Sequence, residues 1–245
     1  MKALVIGEKC VDVFVYGSST RRSPEGDAPV FLSHYETRNM GMAMNTANNL
    51  KSIGKGVQVD TFCSNGDIEK IRYIDIDSNR LYLRVDNNDQ VERINLQELS
   101  DISVYDAVII SDYSKGFLRE KDILAISTAN PMVFLDTKKR LGDWCKYIKF
   151  IKLNRYEYEA NREYIQCNDW IADKLIVTLD KDGVRYKDTH IEAELVENPD
   201  VSGAGDTFLA TFAYSYLQTT NTLKSLEFAN RCATRVVKKR GVSVC

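Results

Sequence analysis

DAVIISDYSKGFLREKDILAISTANPMVFLDTKKR, residues 106–140, holds two short apolar runs, Ala107–Ile110 and Met132–Leu135, on either side of an amphipathic segment near 119–128. An apolar run of four or five residues bounded by polar ones suits a strand covered on both faces, and a helix-period segment between two such runs suits a crossover connection. The stretch therefore reads as a strand, a helix and a second, parallel strand. The same alternation extends in both directions. Ala3–Ile6, Val57–Cys63, Phe150–Leu153 and Leu175–Thr178 read as further strands, and the segments near 43–53, 155–164, 204–217 and 222–238 read as helices. The predicted class is α/β, with a mostly parallel central sheet between two helical layers.

Two stretches depart from that rhythm. Val11–Tyr16 with Val30–Leu32, and Ile71–Ile76 with Leu81–Val85, alternate with period two, the second pair around a turn at Asp77-Ser78-Asn79. Such strands are half-exposed and pair antiparallel, so they are expected to form a small antiparallel β lid from about 11–32 and 71–86. With no Pro/Gly-rich linker and no repeat, residues 1–245 are expected to form one domain.

Composition excludes several classes of function. The chain has 245 residues, 33 Lys+Arg against 35 Asp+Glu, a net charge of −2 and a pI near 5.8, so it lacks the basic excess that nucleic-acid binding needs. Its apolar runs fall far short of the ~20 residues of a spanning helix, and the N-terminal apolar run is too short for a signal-peptide core. A cytoplasmic protein with no membrane partner is expected. The six cysteines form no C-x-x-C pair, and His34 and His190 stand apart from other zinc-type ligands, so buried free thiols are expected.

In open α/β sheets ligands sit beyond the carboxyl ends of the strands. There the sequence places Ser111–Gly116, Asp136-Thr137-Lys138 and Asn154-Arg155-Tyr156-Glu157. The sharpest signal is Asp200-Val201-Ser202-Gly203-Ala204-Gly205-Asp206-Thr207-Phe208, which leads into a helix. Glycines allow a tight turn with exposed amides, and a helix start adds unpaired donors and partial positive charge, a combination suited to a phosphoryl group. Asp206 at that turn could hold an acceptor hydroxyl in line, or could cap the helix; its place in a first turn predicts a low pKa. A P-loop, a full G-x-G-x-x-G and a G-x-S-x-G elbow are all missing, which counts against P-loop NTPases, dinucleotide dehydrogenases and serine hydrolases.

The 200–208 stretch resembles the C-terminal signature of the PfkB/ribokinase-like carbohydrate kinases. Gly41-Met42-Ala43-Met44-Asn45 resembles their G-G-x-x-x-N motif, Asn154-x-x-Glu157 their N-x-x-E, and Val177–Gly183 their nucleotide segment. Val15–Gly17 with Arg22–Glu25 and Ala28–Val30, Ile110–Gly116, Asp136–Lys138, and Phe228–Asn230 with Gly241–Ser243 are similar to the kinase domain of bacterial D-glycero-D-manno-heptose 7-phosphate kinases.

The resemblance implies a ribokinase-like three-layer α/β/α sandwich that uses ATP and Mg²⁺ to phosphorylate a hydroxyl of a sugar or sugar phosphate, first of all a heptose 7-phosphate. It implies Asp206 as the base and the amides of Gly203, Ala204 and Gly205 as the anion hole. Asp12, Gly41 and Asn45 would meet sugar hydroxyls, and Lys115, Asp136 and Lys138 would lie near the substrate or its phosphates. Arg22 would meet the substrate's own phosphate. Thr178, Gly183 and Asn230 would line the nucleotide pocket, and Asn154 and Glu157 would organise Mg²⁺ through water and phosphate. Whether a monovalent cation assists near Gly241 and Ser243 stays open, and the lid's exposed edges motivate a homodimer.

Three departures bear on function. Met42 replaces the second glycine of the G-G motif, which alters the backbone's approach to the sugar or narrows its pocket. The chain is short for such kinases, between Gly66-Asp67 and Ile71 and again between Glu157 and Leu175, and a second, adenylyltransferase reaction is not expected. Two alternatives remain at this point: a kinase for another sugar or a nucleoside, and a degenerate binding protein that keeps the fold without turnover.

Overall fold

The computed structural model describes residues 1–66, 68–99 and 101–245. The chain enters as β1 (Lys2–Gly7), passes through two long strands, β2 (Lys9–Arg22) and β3 (Pro29–Met42), and turns into α1 (Ala43–Ile53). It continues through β4 (Gln58–Cys63), β5 (Ile68–Asp75), β6 (Leu81–Asn87) and β7 (Ala107–Asp112) to α2 (Glu120–Ala129). Next come β8 (Val133–Thr137), β9 (Phe150–Asn154), the short helices α3 (Arg155–Ala160) and α4 (Arg162–Gln166), and β10 (Leu175–Thr178). A hairpin of β11 (Val184–Tyr186) and β12 (Thr189–Ile191) precedes the closing pair α5 (Ala204–Thr219) and α6 (Thr222–Val237).

The expected α/β architecture is present. The main sheet has the order β12-β11-β10-β9-β8-β7-β1-β4, parallel from β4 through β10. Alternation along each strand sends side chains to two cores, as period two requires. Leu4, Ile6, Val108, Ile110, Leu135 and Ile151 pack toward α2 and the 141–171 region. Ala3, Val5, Ile109, Phe134 and Phe150 pack against α1, α5 and α6, where Phe208 and Phe212 are buried. Burying such aromatic side chains contributes roughly 1.5–3 kcal/mol each, which fixes α5, and so its N-terminus, on the sheet.

The antiparallel hairpin of β11 and β12 extends the sheet past β10. Three-residue strands are too short for a periodicity signal, and the sequence reading missed them. At the other edge, β4 connects to β5 within a few residues, of which Asp67 lies outside the described ones; the shortening expected near Gly66-Asp67 falls there.

The lid differs from expectation in strand direction and in strand length. Its four strands are ordered β3-β2-β5-β6, with antiparallel outer pairs, but β2 and β5 at its centre run parallel. Both hairpins leave the main sheet in the same direction, so their inner strands must run together. The lid strands are also longer than predicted, with β3 continuing to Met42 at the start of α1.

Candidate active site

Strand order reverses at β1, which lies between β4 and β7. A crevice opens at such a switch point, beyond the carboxyl ends of the strands. A cavity of about 620 Å³ occupies it, walled by the inner face of the lid, the loops after β7 and β8, and the N-terminus of α5. Glu8, at the exit of β1, is fully buried and accepts the backbone N–H groups of Tyr113 (2.8 Å) and Lys115 (2.9 Å), which ties the loop after β7 to the crevice. Burial, reinforced by Asp112, pushes its carboxyl pKa up.

Asp206 lies in the first turn of α5 and is 3% exposed. Its Oδ1 accepts the Tyr113 hydroxyl at 2.9 Å and its Oδ2 accepts Nδ2 of Asn45 at 3.2 Å. The helix N-cap is Gly203, in the left-handed conformation at φ 76 and without a side-chain cap, whereas α3 and α6 are capped by Asn154 and Asn221. Asp206 is therefore held by groups from the loop after β7 and from α1, not used as a cap. The pKa expectation is reversed. Burial, with Asp136 adding to it, outweighs the hydrogen bonds from Asn45 and Tyr113 and the charge of Lys152, and lifts the carboxyl to about 6. Burial, together with Asp206, also pushes the Tyr113 hydroxyl well above its ordinary value, so it stays a donor.

Beneath this turn lies a buried ion pair that the sequence reading did not foresee. Lys152 Nζ, on β9, meets Asp136 Oδ2, on β8, at 2.7 Å, both side chains being 5% exposed. A Cβ at Gly205 would come 2.9 Å from that ammonium, so the glycine lets the turn settle onto the pair. Lys138 lies 3.7 Å from Asp136 Oδ1 and is ion-paired with Glu157. Burial opposes its charge, but Asp136 and Glu157 outweigh burial and raise its pKa.

The other expected residues divide into those at the cavity and those away from it. Asp12 and Lys115 line the cavity, Lys115 paired with Asp89. A Cβ at Gly41 would fall 1.8 Å from Asp12 Oδ2, so the glycine makes room for that carboxylate. Met42 has a positive φ that favours glycine, φ 56 and ψ −132, and packs with Cys10 and Ile68 as part of the cavity wall. A non-glycine residue held there carries strain of order 1–3 kcal/mol. Of the anion-hole amides, that of Ala204 donates to the Val201 carbonyl at 3.2 Å.

Arg22 is displaced from its expected place. It lies at the tip of the β2–β3 hairpin, ion-paired with Asp27, with its side chain 69% exposed, and it does not line the cavity. The same lid wall instead presents Lys70, Arg72 and Arg84, which were hidden within an alternating strand pattern. Thr178, Gly183 and Asn230 also lie away from the cavity. Asn230 Nδ2 holds the Glu192 carbonyl at 2.8 Å, and Gly183, at φ 89, lets the Ile191 carbonyl approach.

Asn154 and Glu157 form a reciprocal capping box at the start of α3, with Asn154 Nδ2 also donating to Glu157 Oε1 at 2.7 Å. Among the described residues no cluster of three His, Cys, Asp or Glu could hold a metal ion. This donor set does not suit a cation caged by protein, but it fits Mg²⁺ held mainly by phosphates and waters with one carboxylate nearby.

The family described as pfkB family carbohydrate kinase matches residues 70–245, which include most of the lid's second hairpin, the β7 and β8 loops and the α5 turn. The chain belongs to the pfkB family of carbohydrate kinases. Bifunctional protein HldE of Helicobacter acinonychis (strain Sheeba) is 29% identical over 300 residues, covering 98% of this chain. The chain spans 63% of the length of that relative. Ribokinase from Thermotoga maritima shares the fold with a TM-score of 0.75 at 13% identity, over 98% of this chain and 94% of its own. Ribokinase from Arabidopsis thaliana, solved with ribose and ATP, does so with a TM-score of 0.67 at 15% identity, over 98% and 93%. The pfkB assignment thus joins a ribokinase-like fold to a cavity with a buried carboxylate at a helix start.

Proposed function

We propose that the chain is an ATP-dependent kinase that phosphorylates a hydroxyl of a sugar phosphate, with a heptose 7-phosphate as the first substrate to test. The observation that carries this reading is Asp206, a buried carboxylate oriented by Asn45 and Tyr113 at the uncapped start of α5, facing a cavity walled by cations. The resemblance of Ile110–Gly116, Asp136–Lys138 and Gly241–Ser243 to heptose 7-phosphate kinases supports the choice of heptose phosphate.

In this reading the acceptor hydroxyl donates its hydrogen bond to Asp206. As its oxygen bonds to the γ-phosphorus, the bond from that phosphorus to the β–γ bridging oxygen breaks and ADP departs, while the proton passes to Asp206. Such transfers depend mostly on positioning and charge stabilisation. The first-turn amides of α5, with Gly203 and Gly205 shaping the turn, would face the transferring group. Lys138 would balance its charge, and Asn154 and Glu157 would hold Mg²⁺ through water; the ion would neutralise charge on the β- and γ-phosphates. Six free cysteines fit a reducing, cytoplasmic setting, and no helix among the described residues is long and apolar enough to cross a membrane.

The raised pKa of Asp206 sets a pH dependence. A base must be ionised, so kcat/KM is expected to fall about tenfold per unit as pH drops below about 6, and to level above it. Stability moves the other way. A carboxyl whose folded pKa exceeds its unfolded value of about 3.9 contributes stability that is fully present below that value and is lost as pH rises through about 6. A pH profile of kcat/KM that stays flat to pH 4.5 would show that burial does not raise the Asp206 carboxyl to about 6. Substrate choice is tested by ADP release with Mg-ATP against heptose 7-phosphate, fructose phosphates, ribose and adenosine. Turnover confined to phosphorylated sugars is expected, and preference for ribose or adenosine would overturn the sugar-phosphate reading.

A further inference from the structure

Lys70 and Arg72 lie two residues apart on β5, so both side chains project from the same face, the one that walls the cavity. Register pairs Arg72 directly with Arg84 of β6. Three cations are thus gathered on one patch, two of them as a like-charge cross-strand pair, an arrangement that costs stability when nothing anionic sits against it.

Their partners leave the patch incompletely neutralised. Arg72 donates to Asp12 Oδ1 at 2.5 Å, and Arg84 to both oxygens of Asp86 at 2.6 Å. Lys70 is 6% exposed, yet among the described residues its ammonium has no hydrogen bond and no ion pair; it lies 4.7 Å from the centre of the Tyr113 ring. Burial lowers its pKa, and the charges of Arg84 and Arg72 add to that effect while Cys10 and Asp12 oppose it. Lys70 stands in register between Asp12 of β2 and Asp86 of β6, but Arg72 and Arg84 already hold those carboxylates, so three cations share two anions and one positive charge is left for an anionic ligand.

Resting on the sugar-phosphate reading, we propose that Lys70, Arg72 and Arg84 form the seat for the acceptor's own phosphate, the role the sequence assigned to Arg22. Guanidinium groups suit phosphate oxygens through paired N–H donors, and the ammonium adds a point charge. The seat also restricts the substrate class. Tyr113 spans the gap, its hydroxyl on Asp206 Oδ1 and its ring under Lys70, so the accepting hydroxyl and the phosphate lie about one tyrosine side chain apart. The cavity selects sugar phosphates that carry these groups at opposite ends of the molecule, not on neighbouring carbons.

The test compares wild type with Lys70→Met and Arg84→Gln, using heptose 7-phosphate and fructose 6-phosphate beside the unphosphorylated sugars. Both turnover and calorimetric binding are measured. Each variant is expected to raise KM and Kd for the sugar phosphate at least tenfold, with kcat and the KM for ATP within about twofold of wild type. Lys70→Met, which removes an unpaired buried charge, is expected not to lower Tm. Three kinetic outcomes overturn the seat: unchanged KM in both variants while wild type turns over, a raised KM for ATP in place of the sugar phosphate, or a KM defect in Arg22→Ala alone. Absence of turnover in wild type would instead defeat the kinase reading, and binding then decides the seat. Sugar-phosphate binding lost in Lys70→Met supports it, and no binding of any phosphate ester to wild type overturns it.

Discussion

Asp206→Asn is expected to lower kcat at least ~10²-fold while leaving ATP affinity within about twofold of wild type, the size of effect that removing a general base produces. The amide keeps the shape of the carboxylate and can still accept the Tyr113 hydroxyl, so the α5 turn should hold. It cannot take a proton from the acceptor, which isolates the chemical step from binding. At pH 7.5 the variant should be at least as stable as wild type, because the replaced carboxylate is one that burial pushes toward its neutral form. Steady-state ADP release, calorimetric ATP binding and thermal melting separate these effects. A kcat within threefold of wild type would take Asp206 out of the mechanism.

The second large effect is on stability. Lys152→Met is expected to cost about 3–5 kcal/mol, because it strands Asp136 in a buried site. Lys138, 3.7 Å from the other carboxylate oxygen, recovers part of that loss and places the expectation toward the lower end. For a chain of this size the melting temperature should fall by roughly 10 °C. Replacing both partners with apolar residues should recover much of the loss, since the penalty lies in the unpaired charge. Melting curves for the single and double variants provide the measurement. A double variant as unstable as Lys152→Met would show that the pair's hydrogen-bonding geometry, and not its charge balance, supports the α5 turn.

What was legible in the sequence is what local pattern encodes. Short apolar runs and helix-period segments specify one neighbourhood at a time, and α1, α2, α5 and α6 begin and end within two residues of where periodicity places them. The 200–208 turn was legible for the same reason, since glycines at a helix start have a local meaning. The hidden parts depend on partners far along the chain. The parallel pairing of β2 with β5 follows from how two hairpins leave the main sheet, which alternation within either does not reveal. The Lys152–Asp136 pair joins neighbouring strands 16 residues apart, and Lys152 reads in sequence as one charge inside an apolar run. Arg22 is a different case: a motif resemblance assigned it to the substrate's phosphate, whereas the long hairpin carries it outside the cavity lining, ion-paired with Asp27. For Asp206 the first-turn rule was sound, but the depth of burial was not legible, and burial decides the pKa.

The most direct test of the kinase account is the product itself. Incubation with Mg-ATP and heptose 7-phosphate, followed by ³¹P NMR and mass spectrometry, is expected to yield ADP and a sugar carrying two phosphate esters, formed in equal amounts by wild type and absent with Asp206→Asn. ADP accompanied only by inorganic phosphate, or a doubly phosphorylated product formed equally well by the variant, would contradict it.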